Sequence, residues 1–379
     1  MTQPERLDVP QGSFALQRYP RLPGETLRAW DAADEYLLKY LHEAKLPQPQ
    51  SRVLILNDGF GALALALADH QPWLISDSWL AHRGVLANLA DGGLASDRVR
   101  LLSSLQAPSG EVDLVLFKVP KTLALLEEQL HRLRPHLHAH TRVFGAGMAK
   151  NIHTSTLELC ERILGPTTTS LAQKKARLIF CTPDLQRNPA PSPYPSRFRL
   201  EATGDPICSQ AAVFCREGLD VGTRFFLARI PACDGPRRIV DLGCGNGILG
   251  LVAARRNPRA ELIFTDESFM AVASAEANFR AAFGATRSAR FLVTDVLEGL
   301  PRGSAELILN NPPFHQQQAL GDQTARRMFR QAREVLVRGG ELRVVGNRHL
   351  DYHLKLRRLF GNCTLVDSNP KFVILKAVR

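Results

Sequence analysis

The sequence predicts an α/β protein made of two tandem doubly wound domains, and three observations carry that expectation. Short apolar runs alternate with stretches of helical periodicity along the chain, the pattern of a mostly parallel sheet covered by helices. The alternation breaks once, at Asn188-Pro189-Ala190-Pro191-Ser192-Pro193-Tyr194-Pro195-Ser196, where alternate prolines make an extended segment poorly able to join a sheet. The segments on either side of this break also repeat one another. The expected organisation is a first domain over 1–187, a linker over 188–197 and a second domain over 198–379.

In the first half, residues 1–25 read as an irregular lead-in, followed by helical spacing from Glu25 to about Glu43. Val53-Leu54-Ile55-Leu56 reads as a buried strand, Asn57-Asp58-Gly59-Phe60-Gly61 as a turn and Ala62 to Ala68 as a helix. Trp73 to Asp77 is a second strand and Ser78 to Leu89 a second helix. Val112 to Phe117 is a further strand, ending at Lys118-Val119-Pro120-Lys121, and Thr122 to Leu133 and Thr141 to Phe144 supply another helix and strand. The basic stretch Lys174-Lys175-Ala176-Arg177, after Thr167-Thr168-Thr169-Ser170, reads either as a solvated loop or as an edge that contacts phosphate.

The second half carries the chemistry. Phe198 to Ile207 suggests a hairpin, and Thr223 to Ile230 a helix behind the turn Leu219-Asp220-Val221-Gly222. The strand ending at Asp241-Leu242 runs into Gly243-Cys244-Gly245-Asn246-Gly247. Glycines there let a ligand approach the backbone, and the carboxylate ahead of them suits a cation or an amino group. Asp266 ends the next strand, where a carboxylate can accept both hydroxyls of a ribose. Asp295 ends the third and can accept from an adenine amine. The fourth strand, Leu307-Ile308-Leu309, stops at Asn310-Asn311-Pro312-Pro313-Phe314-His315, because prolines cannot continue a ladder and constrain the residue before them. Asn311 offers a side-chain carbonyl, Pro312 a backbone carbonyl and Phe314 an aromatic face. Together they suit a planar group bearing an –NH2. His315 is adjacent, either a hydrogen-bonded structural neighbour or a group available to a departing proton.

Gly245-Asn246-Gly247-Ile248-Leu249-Gly250 also satisfies the dinucleotide fingerprint. An acidic residue just ahead of the glycines would repel a pyrophosphate, and hydride transfer has no use for the Asn-Pro-Pro-Phe turn. The ordered set of Asp241, the glycines, Asp266, Asp295 and that turn instead describes a site for S-adenosylmethionine beside a planar amine.

A formal net charge of +11 favours a polyanionic partner, nucleic acid or an acidic membrane surface. No apolar run approaches the roughly 18–20 residues that span a bilayer, and Met1-Thr2-Gln3-Pro4-Glu5 does not resemble a signal peptide. The seven cysteines stand singly, without C-x-x-C, so neither a metal site nor a disulfide framework is expected, and a reducing cytoplasm fits.

The internal repeat pairs Val53 to Leu56 with Ile239 to Leu242, Ser76-Asp77-Ser78 with Thr265-Asp266-Glu267, and Leu114 to Lys121 with Leu307 to Phe314. Lys118 then falls on Asn311, and Asn151, His153 and Gly165 on Asn347, His349 and Gly361. Ile55 replaces Asp241, so the first copy is expected to be a degenerate fold kept for binding, with Lys118, Lys174, Lys175 and Arg177 as candidate phosphate contacts.

With these motifs the chain resembles the bacterial ribosomal RNA guanine-N2 methyltransferases with two tandem methyltransferase-like Rossmann domains, and most of all their large-subunit, 23S rRNA branch. Three strings outside the generic motifs carry the likeness: Ala32 to Leu38, Val119 to Glu127 and Asn347 to Tyr352. The resemblance implies S-adenosylmethionine held by Asp241, Gly243, Gly245, Asp266 and Asp295. It implies a target guanine held by Asn311, Pro312 and Phe314, with Gly222 and Thr223 helping to close the cofactor site. The expected partner is 23S ribosomal RNA, with no membrane and no metal. Asn-Pro-Pro-Phe would also serve adenine N6 in DNA or a protein glutamine amide, so those methyltransferases are the rival enzymes, and an RNA-binding assembly factor is the rival of another class.

Overall fold

The computed structural model describes residues 5–235, 237–313 and 318–379, and the side chains of all of these but 318–320. Phe314 and His315, named above, lie outside the described residues. The chain divides into two compact units, Met1–Pro193 and Tyr194–Arg379, parting within the proline-rich stretch.

The first unit runs β1 (Arg6–Val9), β2 (Gly12–Ala15), α1 (Ala32–Glu43), β3 (Val53–Leu56), α2 (Ala62–Ala66), β4 (Trp73–Ser76), α3 (Trp79–Asp91), β5 (Arg100–Ser103), β6 (Val112–Lys118), α4 (Leu123–Leu133), β7 (Leu137–Met148), α5 (Thr154–Ile163), β8 (Thr167–Thr169) and β9 (Ala176–Cys181). The second runs β10 (Ser196–Arg199), β11 (Pro206–Ser209), α6 (Val221–Leu227), β12 (Arg238–Leu242), α7 (Ile248–Arg256), β13 (Glu261–Asp266), α8 (Phe269–Phe283), β14 (Ala289–Val293), β15 (Ala305–Asn310), α9 (Gln318–Val335), β16 (Leu336–Asn347), α10 (Tyr352–Phe360), β17 (Thr364–Ser368) and β18 (Phe372–Val378).

Each unit holds a seven-stranded sheet of the same order, β5-β4-β3-β6-β7-β9-β8 and β14-β13-β12-β15-β16-β18-β17. Within each, only the strand next to the outer one, β9 or β18, runs against the others. Side-chain alternation along the central strands sorts the apolar residues onto two faces. In the second unit Ile239, Leu307 and Leu309 pack with Phe226 of α6 on one face. Val240, Leu242 and Ile308 pack with Phe329 of α9 on the other. The strand order reverses between β12 and β15, so a crevice opens at their carboxyl ends, where open α/β sheets bind ligands.

Several expectations are corrected. The lead-in contains a hairpin, β1 paired with β2, whose four-residue strands are too short to show a period. The first helix begins at Ala32 rather than Glu25, because Asp31 and Asp34 form a capping box that sets its start. Strands β5, β8 and β9 and helix α5 were not foreseen, and β7 is far longer than Thr141 to Phe144. Strand β10 also begins inside the expected linker. The basic stretch forms the tip of a hairpin: Lys174 and Lys175 both take left-handed backbone between Gln173 and Ala176, as tight hairpin turns require.

Register also corrects the repeat in two places. Leu56 lies opposite Ile75 as Leu242 lies opposite Thr265, so Asp266 corresponds to Ser76 and not to Asp77. Met148 and Asn347 both end the long strand and open a 3-10 turn, with φ −64° in each, so Asn347 corresponds to Met148 and not to Asn151. The hairpins β1-β2 and β10-β11 extend the duplication to the start of each unit. Asn88 donates to the carbonyls of Gln17 and Phe60, and Asn278 to those of Cys208 and Asn246. Their side-chain oxygens accept from Gln17 N–H and Cys208 N–H. One buried asparagine thus staples hairpin to turn in each copy.

Candidate active site

The glycine-rich turn after β12 is shaped by its neighbours. Gly247 opens α7 with φ +79°, and a Cβ there would lie 2.8 Å from Ala275. A Cβ on Gly250 would lie 2.2 Å from the Phe264 ring. Neither position tolerates a side chain without displacing a neighbour. The amides of Gly243 and Cys244 donate to the Thr265 carbonyl at 2.8 and 3.0 Å, which folds the turn back over β13.

Three carboxylates stand at or just beyond the ends of β12, β13 and β14. Asp241 is wholly buried. Its Oδ2 accepts from Gly250 N–H at 2.7 Å and its Oδ1 has no partner. Burial pushes its pKa up to about 8, opposed by the Gly250 amide and reinforced by the nearby charge of Asp266. Asp266, at the tip of β13, accepts from Gly245 N–H and from Ser268 N–H, each at 3.0 Å. The Glu267 amide also bonds this carboxylate, which leaves it one further acceptor site. Burial raises its pKa as well, against the pull of those amides. Asp295 is buried after β14, and its Oδ2 is paired with Arg327 of α9. The sequence did not suggest that ion pair, which occupies one of the two oxygens expected to face an adenine. Burial still raises this carboxyl despite Arg327.

Asn311 follows directly on β15. Its Nδ2 donates to Thr223 Oγ1 at 2.9 Å, while its Oδ1 is buried without a partner. The direction of the amide follows from a relay that begins at Asp220, the N-cap of α6. Asp220 accepts from the Gly222 amide at 2.7 Å and from both the amide and the hydroxyl of Thr223. A threonine hydroxyl that donates to a carboxylate can only accept from its other neighbour. It therefore holds the NH2 of Asn311 and leaves the carbonyl oxygen without a partner. Pro312 is buried beside it. Sequence reasoning found Gly222 and Thr223 but missed Asp220. The available signal was the N-cap pattern itself, an Asp three residues ahead of a Thr at a helix start.

The structure thus places Asp241, Gly243, Gly245, Asp266 and Asp295 at or just beyond the carboxyl ends of β12, β13 and β14, with Asn311 and Pro312 just beyond the end of the neighbouring β15. The recess is acidic in a chain of net charge +11. A buried, unpartnered carboxylate oxygen and partly engaged acceptors fit a cationic ligand with hydroxyl and amine donors, such as S-adenosylmethionine. Among the described residues no group of three His, Cys, Asp or Glu is placed to hold a metal ion.

In the first unit the corresponding places are filled from within. Ile55 stands for Asp241 and Ser76 for Asp266. Asp58 caps the turn, accepting from the amides of Gly61, Ala62, Leu63 and Ala64. Lys118 is a correction: its Nζ lies 2.7 Å from Asp31 and 2.8 Å from Asp34, with its side chain only 14% exposed. A cation expected to meet phosphate is already neutralised by two carboxylates. Lys174 pairs with Glu35 at 2.8 Å but stays 77% exposed, and Lys175 and Arg177 are exposed. No described helix is long and apolar enough to cross a membrane.

Comparison with known proteins agrees with this division. Residues 4–185 match the family model described as the RLMG N-terminal domain, and residues 205–376 that of the methyltransferase small domain. The ribosomal RNA large subunit methyltransferase G of Streptomyces griseus is 55% identical to the chain, over 99% of both. That of Stutzerimonas stutzeri is 52% identical, over 98% of this chain and 99% of its own. Among solved structures, the T. thermophilus 16S rRNA N2 G1207 methyltransferase (RsmC), in complex with AdoMet and guanosine, aligns over 99% of this chain and 97% of its own. Its TM-score is 0.75 at 22% identity, so the two share a tandem fold.

Proposed function

The chain belongs to the ribosomal RNA large subunit methyltransferase G family, and from that premise we propose that it transfers a methyl group from S-adenosylmethionine to the exocyclic N2 amine of a guanine in 23S rRNA. The carrying observation is the buried side-chain carbonyl of Asn311, without a partner at the end of β15, beside which the backbone carbonyl of Pro312 would serve as a second acceptor. The amine of guanine is a poor nucleophile because its lone pair is delocalised into the ring. Two acceptors that take its two hydrogens favour a pyramidal nitrogen whose lone pair points away from the ring plane. Asp241, Asp266 and the glycine turn hold and orient the cofactor, which supplies an electrophilic methyl on sulfur. Much of the rate gain is alignment of the two reactants. The base must leave its stack to reach these groups, which favours a loop or unfolded RNA.

The basic hairpin tip of the first unit, with Lys174, Lys175 and Arg177, supports a role for that unit in holding RNA, with Lys118 removed from the set. An RNA substrate of this kind would be met in the cytoplasm. The test is tritium transfer from labelled S-adenosylmethionine to naked rRNA, assembled subunits, DNA and protein, followed by nucleoside mass spectrometry. N2-methylguanosine in large-subunit rRNA is expected. Label confined to adenine or to protein overturns the reading.

A further inference from the structure

Asn-Pro-Pro-Phe grips an amine without choosing the base that bears it, so guanine must be read by something else. Asn347, the last residue of β16, is placed to read it. Strands β15 and β16 are parallel neighbours with Asn310 opposite Val344. Asn311 therefore lies level with Val345, and Asn347 two residues further along the next strand. Strand rise and spacing put their Cα atoms roughly 8 Å apart. Alternation keeps Asn347 on the face of Val345, the face covered by α6. Across the ladder Asn347 pairs with Phe372, whose ring would sit 3.1 Å from a Cβ on Gly222. Gly222 adjoins Thr223, which holds Asn311. Both asparagines on this face carry a buried side-chain carbonyl without a partner, Oδ1 of Asn311 and Oδ1 of Asn347. A buried acceptor left unmatched is costly, a cost that a donor on a bound base removes.

The duplication gives an independent reason. At the place of Asn347 the first copy has Met148, which cannot act as a carbonyl acceptor. The amide is present where Asp241 and Asn311 are present and absent where Ile55 and Lys118 stand. Asn88 and Asn278 behave differently: they are kept in both copies, and both ends of each amide are engaged in the same staple.

We propose that Asn347 selects guanine by accepting, through Oδ1, the hydrogen on N1 of the base. Adenine has a lone pair at N1, which would face the carbonyl and leave it unmatched. The inference rests on the guanine-N2 reading above.

The test uses the full chain with Asn347→Leu and Asn347→Asp, and rRNA from cells lacking the modification. Leucine keeps the volume and loses the acceptor. Aspartate keeps an acceptor but buries a charge. The leucine variant is expected to lose about 10²-fold in kcat/KM, with S-adenosylmethionine affinity by calorimetry and melting temperature both maintained. The aspartate variant is expected to stay within about tenfold of the parent although it melts lower. A merely structural amide would give the opposite ranking of activities. Near-parental guanine methylation by Asn347→Leu, or cofactor affinity falling in step with activity, overturns the inference alone. Absence of N2-methylguanosine from the unmutated protein's product overturns the guanine reading and this inference with it.

Discussion

Lys118 and Asn311 occupy one position in two copies of a fold, at the carboxyl end of the fourth strand. Each reaches the third residue of the helix that precedes the sheet, Asp34 in α1 and Thr223 in α6. Each of those helices is capped by an aspartate, Asp31 or Asp220. The joint is therefore common to both copies and only its chemistry differs. In the first, a lysine spends its charge on two carboxylates. In the second, the carboxylate is satisfied by a threonine, the threonine by an amide hydrogen, and one carbonyl remains to receive a substrate. A joint can thus persist as packing where its reactive chemistry is absent, and the side chains that meet in it decide which it is.

If that contrast holds, substitutions at the two positions should fail in different ways. Lys118→Met leaves Asp34, buried and held at about pKa 6 by burial against the pull of Lys118, without its cation. Breaking such a pair costs about 3–5 kcal/mol. All three tryptophans, Trp30, Trp73 and Trp79, lie in the first unit, so their fluorescence in a urea titration of the full chain reports its unfolding. An unchanged midpoint would free Lys118 for another role. Asn311→Ala should scarcely move the stability of the second unit. It should lower single-turnover methyl transfer by roughly 10²–10³-fold, the usual scale for one oriented polar contact at a reacting centre, with cofactor affinity by calorimetry unchanged. Parental turnover would break the comparison at its functional end.

A pH series sharpens it at Asp241, whose first-copy counterpart is Ile55. With its pKa raised to about 8, Asp241 is largely protonated at neutral pH in the free protein. This stabilises the fold below the ordinary carboxylate range, and that contribution is lost as pH rises through about 8. If the cofactor's cationic group meets this carboxylate in its ionised form, binding releases a proton and affinity should climb by at most about tenfold per pH unit between pH 6 and 7.5. Calorimetry in buffers of different ionisation heat counts the proton. Asp241→Asn should abolish the release, which separates it from the cofactor's own titration. The smallest effect is expected at the hairpin tip. Replacing Lys174, Lys175 and Arg177 with glutamine should lower the salt slope of RNA binding by up to about 0.7–0.9 per lost phosphate contact, read by fluorescence anisotropy with an rRNA fragment. An unchanged slope removes this edge from the RNA path.

What could be read from the sequence was whatever local stereochemistry dictates. Two prolines after Asn311 force a strand to end wherever they occur, and the glycines after Asp241 announce a turn with close approaches. The relay from Asp220 was not legible because Thr223 and Asn311 meet across 88 residues, and no period links them. Lys118 misled for the same reason, since its partners lie far upstream. The hairpin at Arg6 to Ala15 has strands too short to alternate visibly. The repeat slipped where letters coincide by chance: Ser-Asp-Ser against Thr-Asp-Glu, and Asn-x-His in two places that the register sets three residues apart. Only strand pairing could show that Ser76 stands for Asp266 and Met148 for Asn347.

The asparagine staple marks a division of labour between residues that build and residues that react. Asn88 and Asn278 tie the entering hairpin to the turn beneath it without touching the acceptors at the strand ends. Mutation can therefore erase or restore chemistry at the rim without loosening the frame that carries it. The first copy is in this sense a blank, a scaffold already stapled and closed, on which a new binding surface can be written one side chain at a time.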